Sequence, residues 1–139
     1  MSTPHELLNP ESMAPAKGYS NAVRPADGTT IYLSGMTAMD QTAAIVGDTL
    51  AEQYDVAMGN VVTGLEAAGG SPTDIVSLVI YTTSMQEYRD DQTGIGRAHR
   101  RHLGKHFPAM AMLGVTELYD PEAKLEIIAT AVVANEPVK

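Results

Sequence analysis

The stretch that decides the fold is the apolar segment AKLEIIATAVV, which occupies residues 123–133 near the end of the chain. In a β-strand, successive side chains point to opposite faces of the sheet. The pattern places Leu125, Ile127, Ala129 and Ala131 on one face, and Glu126, Ile128, Thr130 and Val132 on the other. Both faces are therefore largely apolar, which indicates a strand that is covered on two sides.

Two earlier segments show the same two-sided pattern: DIVSLVIYTTS at 74–84 and AMAMLGVTEL at 109–118, which a YDPE turn joins to the last strand. In the first, the alternation predicts Ile75, Ser77, Val79 and Tyr81 on one face and Val76, Leu78 and Ile80 on the other. In the second, Met110 and Met112 share a face. Two helices can cover only one side of such a sheet, and a bare apolar face of this size is unusual for a monomer. We therefore expect self-association.

Two helices are predicted between the strands. The first runs from about residue 50 to 68, because apolar residues recur there at helical spacing and Thr49 and Glu52 are spaced as a capping box. The second extends to about residue 103 from Ser84 and Glu87, which form a second candidate capping box. Near the start, YSNAVRP and TTIYLSG flank an ADG turn and predict a β-hairpin.

The element order is therefore β-β-α-β-α-β-β in a single domain, residues 1–139, with residues 1–18 as an irregular N-terminal arm. This order indicates an α+β fold in which both helices pack on one face of a mixed sheet.

Composition excludes several function classes. The absence of cysteine rules out disulfides and Cys-based zinc sites. The formal net charge of −8 repels phosphate backbones, so we do not expect nucleic-acid binding. No apolar run is long enough to cross a membrane, and the polar N-terminal residues show no secretory signal. We therefore expect a cytoplasmic protein with no membrane partner. We also expect no cofactor, because GIG at 94–96 is too short for a phosphate loop.

Four segments, in this order, carry a family resemblance: APAKGYSNAV at 14–23, IYLSG at 31–35, FPA at 107–109 and KLEIIATAVV at 124–133. Together they resemble the RidA/YjgF family of reactive-intermediate (enamine/imine) deaminases, also called endoribonuclease L-PSP-like proteins. The resemblance covers residues 9–133. It implies a chorismate-mutase-like α+β fold and a homotrimer with a ligand cleft at each subunit interface.

The resemblance also implies site residues. Tyr19 matches the tyrosine of the family site, and Ser34 with Gly35 matches its Ser-Gly motif. Glu126 matches the glutamate that positions or activates a water. Gln92 falls near an asparagine of the second helix.

The departure from the family pattern is at Met110, where deaminating members have an arginine that binds the substrate carboxylate. A thioether cannot make the two charge-assisted hydrogen bonds of a guanidinium and offers soft apolar contact instead. Small 2-imino acids are therefore poor candidate substrates, and we expect a neutral or apolar metabolite near Met110 and Met112. Another cation, such as Arg24, would have to replace the arginine for an acid to bind.

Each of these residues also has a purely structural interpretation. Glu126 could be an interface ion-pair partner, Tyr19 and Ser34 structural hydrogen-bonding groups, and the two methionines packing residues. The segment HRRHLGKH at 99–106 spaces three histidines at i, i+3 and i+7, the pattern of a helical metal site. The interleaved cations oppose metal binding, so we expect no metal and an exposed basic helix face.

Two function classes remain. One is an enamine/imine-type hydrolase (deaminase) or an isomerase that uses Glu126 to orient a water or move a proton. The other is a non-catalytic trimeric protein that binds or senses a small metabolite. Glu126 discriminates between them, because catalysis needs its carboxylate whereas binding through the methionines does not.

Overall fold

The structure is a computed structural model that describes residues 2–136. Its elements in chain order are β1 (Glu6–Leu8), β2 (Ala22–Arg24), β3 (Gly28–Tyr32), α1 (Leu50–Ala67), a 3-10 turn (Pro72–Asp74), β4 (Ile75–Thr82), α2 (Met85–Asp90), α3 (Gln92–Leu103), β5 (Ala109–Gly114) and β6 (Leu125–Ala134). The strands β3, β6, β4 and β5 form one sheet in that order, and β1 pairs with β2 in a small separate sheet. The predicted α+β fold with a mixed sheet is confirmed.

The core lies between the four-stranded sheet and the helices. The side chains of β6 that face α1 are at most 1% exposed: Leu125, Ile127, Ala129 and Ala131. In β4 the predicted alternation is wrong at one position. A β-bulge between Ile75 and Ser77 turns Ile75 to the same side as Leu78 and Ile80, where all three are fully buried.

The predicted hairpin near the start is wrong. The strand β2 pairs with β1, from Glu6 opposite Arg24 to Leu8 opposite Ala22, so the N-terminal arm is not wholly irregular. The strand β3 instead pairs antiparallel with β6 over five residues. Pro25 ends β2 and has no N–H to donate to a hairpin ladder, whereas β6 offers β3 a longer partner.

The first capping box is present in part: the Thr49 hydroxyl accepts from the Glu52 amide at 3.1 Å. The second is wrong, because Ser84 makes no side-chain cap bond. The Glu87 carboxylate instead accepts from the backbone amide of Leu50 and, at 2.6 Å, from Lys124 Nζ, and so ties α2 to the start of α1. This contact supplies an acceptor at the positive end of the α1 dipole.

The predicted second helix is divided in two at Asp91, whose backbone leaves the helical region with φ −131° and ψ 53°. Its carboxylate accepts from the Gly94 amide at 3.0 Å and caps α3. A Cβ at residue 94 would collide with that carboxylate, so glycine there permits the cap. Across residues 2–136, none of the helices has the length and apolar character needed to cross a bilayer.

Candidate functional site

A cavity of about 280 Å³ opens between α1, α3 and the start of β5. Its floor is a buried polar pair, Tyr54 on α1 and His99 on α3. The Nε2 of His99 lies 2.8 Å from the His106 carbonyl oxygen, which can only accept, so Nε2 carries the proton and donates. The Nδ1 of His99 is then an acceptor, and it faces the Tyr54 hydroxyl at 3.4 Å. Phe107 stacks on the imidazole with 5.0 Å between ring centroids.

The floor of the cavity is uncharged at neutral pH. Burial lowers the pKa of His99 below its ordinary value, and the nearby Arg100 charge acts in the same direction. Burial also raises the pKa of Tyr54 well above its ordinary value. A neutral phenol therefore donates toward a neutral imidazole, which is an arrangement suited to orienting a ligand.

Two of the residues predicted for the site meet in this cavity. Met110 enters from β5 and Gln92 from the first turn of α3, and Ile95 and Gly96 complete the α3 wall. Tyr19 is not in the cavity itself, although Gly18 beside it is. Tyr19 and Met110 instead share a second cavity, of about 290 Å³, which is lined by residues of both β4 and β5.

The mouth of the first cavity carries two cations, Lys17 and Arg100, which sequence reasoning missed. Arg100 lay within the stretch interpreted as a solvated basic helix face, and Lys17 directly precedes the matched Gly18-Tyr19 pair. Arg24, the cation suggested as a replacement for the missing arginine, is not among the residues that line this cavity. It forms an ion pair with Glu6 at 2.5 Å in the small sheet.

The other predicted residues form a second group on the opposite face of the main sheet. Glu126 lies opposite Tyr81 of β4, and its carboxylate rests against the backbone of Gly35, where a Cβ would come within 2.5 Å of Oε1. Ser34 is exposed beside Gly35, and its hydroxyl lies 3.8 Å from the sulfur of Met36.

Within one chain the two groups do not meet. Glu126 alternates with the buried Leu125 and Ile127 and so faces away from the helices, whereas Met110 packs against the core on the helix side. Met112 also packs against that core. A site that used Glu126 together with Met110 would therefore need residues from two copies of the chain.

The arginines of the histidine segment are exposed as expected of a basic helix face, but two of its three histidines do not lie on that face. His99 and His106 are buried, and the Nε2 of His106 donates to the Ile75 carbonyl at 2.7 Å. His102 instead pairs with Asp55 at 2.8 Å. The three imidazoles thus bind three different partners, and residues 2–136 contain no cluster of three or more metal-binding side chains.

Comparison with known proteins gives a family. The family model described as Endoribonuclease L-PSP matches residues 10–133. The chain belongs to that family. The resemblance to RidA/YjgF proteins is thereby confirmed. No curated protein sequence matches the chain significantly.

Solved structures agree with this membership. The chain is similar to YyfB from Yersinia pestis, a protein of unknown function of the conserved Rid family, with 29% identity, a TM-score of 0.84 and coverage of 94% of this chain and 100% of that one. It is also similar to Rv2704 from Mycobacterium tuberculosis, of the YjgF/YER057c/UK114 family, with 31% identity, a TM-score of 0.63 and coverage of 93% and 99%. A third similar structure is E. coli TdcF with bound serine, with 26% identity, a TM-score of 0.66 and coverage of 91% and 94%.

Proposed function

We propose that this Rid-family chain is a small-molecule hydrolase of the enamine/imine type, with its site completed at the interface between copies of the chain in a homotrimer. The observation that carries the proposal is the position of Glu126. This residue is an acidic side chain on a largely apolar sheet face, and Gly35 lets a loop backbone approach its carboxylate. A carboxylate held in such surroundings can orient a water and accept a proton from it.

The reaction follows from that role. A water held by Glu126 adds to the imine carbon while the carboxylate takes up its proton. The carboxylate returns that proton to the nitrogen, which gives a carbinolamine. The hydroxyl proton of the carbinolamine then moves to the nitrogen as the carbon–nitrogen bond breaks, so that ammonia leaves and a carbonyl compound remains. An isomerase would use the same carboxylate to move a proton between carbon and nitrogen without adding water.

The assembly is supported by the outer face of the sheet. Three large apolar side chains there are exposed in a single chain: Tyr32 at 82%, Leu113 at 43% and Ile128 at 37%. Burying them against another copy would remove apolar surface from water. The same contact would bring a neighbour's residues toward Glu126. A site that combines Glu126 with Met110 needs such a contact, because the two residues lie on opposite faces of the sheet within one chain.

We propose a substrate other than the small 2-imino acids. Met110 offers no charged group deep in the cavity beside β5, and the two cations of that cavity lie at its exposed mouth. A small acid held at the mouth would leave the inner apolar wall unfilled, so it would gain little of the available contact.

The experiment that tests this function compares Glu126→Gln with Glu117→Gln, which removes the same charge from an exposed position off the main sheet. Imines are generated in the assay by an amine oxidase or an amino-acid oxidase, and their lifetime is measured by trapping with semicarbazide. We expect the wild-type protein and Glu117→Gln to shorten that lifetime. Glu126→Gln should lose about a hundredfold or more in rate, because it lacks a general base.

The alternative function is non-catalytic binding of a small metabolite, which is favoured by one observation: the cavity at Met110 is complete within one chain. Equal imine lifetimes with wild type, Glu126→Gln and no protein, over the whole set of imines, would reject the hydrolase and leave this alternative.

A further inference from the structure

The first cavity differs in charge from the rest of the molecule. The chain carries 17 acidic and 9 basic residues, yet the cavity beside Met110 is lined by Lys17 and Arg100 and by no carboxylate. A cavity on the other side of α3 shows the usual mixture, with three carboxylates lining it together with Arg97 and Arg101. The positive mouth is therefore a local feature, and a cavity lined by one sign of charge raises the local concentration of ligands of the opposite sign.

Both cations are free of ion pairs within the part of the chain that the structure describes. Between residues 2 and 136, no carboxylate oxygen lies within 4 Å of Lys17 or Arg100, whereas the adjacent Arg101 pairs with Asp55 at 2.5 Å. A guanidinium that is not paired keeps its planar set of donors for a ligand, which it can bind through two parallel hydrogen bonds.

The position of the Arg100 guanidinium depends on Gly96, one helical turn earlier. The heavy atom nearest to an ideal Cβ at residue 96 is Nη1 of Arg100, at 3.6 Å, so the guanidinium folds back along α3 toward the cavity wall. Glycine inside a helix is unfavourable relative to alanine, and Gly96 does not have the positive φ that would require glycine. What this glycine provides is open space beside the cation.

The inner part of the cavity has a different character. Its walls are apolar, formed by Ile95, Phe107 and Met110, and its floor is the neutral Tyr54–His99 pair. Methionine adapts its shape to an apolar or aromatic partner. The cavity is thus amphipathic, with charge at the mouth and apolar contact within. Its volume lies near the lower end of the range for small-molecule sites.

We propose that this cavity binds a small organic anion with an apolar body, whose charged group lies at Lys17 and Arg100 and whose body contacts Ile95 and Met110. This ligand replaces the neutral one expected from Met110 alone, because the cations come from α3 and from the segment before Tyr19 instead of from β5. This inference rests on the proposed function in one respect only: the anion is a substrate if the chain is the proposed hydrolase. Its binding needs neither Glu126 nor a second copy.

The test uses the full chain with methyl-labelled methionine and three probes: benzoate, its neutral isostere benzamide, and inorganic phosphate. We expect benzoate to shift the Met110 methyl resonance in NMR spectra, assigned with Met110→Leu. Benzamide should bind at least about tenfold more weakly, because one charge-assisted interaction is lost. Phosphate, which has no apolar body, should leave the Met110 resonance in place.

Variants identify the cations. Lys17→Gln and Arg100→Gln should each weaken benzoate about three- to tenfold, a modest loss because both side chains are exposed, and each should leave benzamide affinity unchanged. Arg97→Gln, on the same helix but lining the other cavity, is the matched control and should bind benzoate like wild type.

Three results would overturn the inference: equal affinity for benzoate and benzamide, equal benzoate affinity in Arg100→Gln and Arg97→Gln, or a Met110 resonance that benzoate does not move. The two proposals fail separately. If imine lifetimes are the same with wild type, Glu126→Gln and no protein while benzoate binding follows the pattern above, the hydrolase is rejected and the anion site stands.

Discussion

The two sides of the main sheet, which are formed by alternate residues of the same strands, differ in how far they are covered within one chain. On the helix side, β6 presents side chains that are almost completely buried, and the cavity at Met110 is closed by elements of one chain. On the outer side, β6 presents Glu126 and the exposed Ile128. Within one chain the helix side encloses a cavity, whereas the outer side leaves large apolar side chains exposed, and we propose that a partner copy covers them. The predictions below test that division.

The largest effect is expected on the outer face. Replacing Ile128 with Asp places a charge where we propose that a second copy packs. An unpaired charge buried at an interface costs several kcal/mol, so the trimer should dissociate to monomers at micromolar concentration. Light scattering coupled to size-exclusion chromatography measures the mass. Because Ile128 faces away from the core, the monomeric variant should stay folded and still bind benzoate.

The control for this variant is Glu122→Lys, which changes charge in the exposed loop before β6. It should remain a trimer. A wild-type chain with the mass of a monomer at micromolar concentration would contradict the proposed assembly, and the outer face would then need another explanation.

The second prediction concerns pH and the helix side. Burial lowers the pKa of both His99 and His106 in the folded chain, so the unfolded chain binds more protons just below the ordinary histidine pKa. Stability contributed by the neutral imidazoles is therefore present above about pH 6.5 and is lost as pH falls through that value toward the folded pKa. Thermal unfolding followed between pH 7.5 and 5 should show a falling melting temperature.

A matched variant separates the two histidines. His99→Gln keeps an N–H donor for the His106 carbonyl but does not titrate, so about half of the acid loss of stability should disappear. The groups near His99 are the Tyr54 hydroxyl, the Arg100 cation and His106, and the positive charge of Arg100 further opposes protonation. If the melting temperature falls equally in wild type and His99→Gln as the pH is lowered, His99 does not contribute to that fall.

Much of the fold was predictable because it depends on periodicity. The strands β4, β5 and β6 and the helix α1 follow from apolar spacing, and the α1 start follows from Thr49. The errors arose where tertiary contacts outweigh local pattern. The strand β3 pairs with β6 instead of with its sequence neighbour β2. The Glu87 carboxylate accepts from Leu50 and Lys124 instead of capping its own helix. Sequence alone does not show such long-range partners.

The site was predictable only in part. The family resemblance located Met110 and Gln92, which do share a cavity, and Glu126 with Gly35, which do touch. It did not show that these pairs lie on opposite faces of the sheet. The cations were missed because a residue such as Arg100 in a basic run is normally solvated, and only the course of α3 over the cavity reveals where it points.

The third prediction sharpens the helix side through Met110. Replacing it with Arg adds a guanidinium of similar reach inside the cavity, where Lys17 and Arg100 already favour an anion. We expect benzoate affinity to rise about tenfold, or about 1.4 kcal/mol, for one added charge-assisted pair. Calorimetric titration measures it, and Met39→Arg, which adds the same charge at an exposed loop position, serves as control. No gain over Met39→Arg would mean that Met110 does not face the bound anion.

The smallest effects are expected from alanine substitutions at Gly94 and Gly96, two glycines of α3 that should respond differently. Gly96→Ala should raise the free energy of unfolding by about 0.5–1 kcal/mol, because alanine is the better helix former and a Cβ there makes only ordinary contact with Arg100. The same methyl group takes space from the cavity, so benzoate affinity should fall a few-fold while stability rises.

Gly94→Ala should instead lower the free energy of unfolding by about 1 kcal/mol, because the new Cβ displaces the Asp91 carboxylate that caps α3. Urea denaturation and benzoate titration of both variants measure the two quantities. If Gly96→Ala gains stability with no loss of affinity, the ligand does not reach the α3 wall, and Arg100 binds it only at the outer mouth.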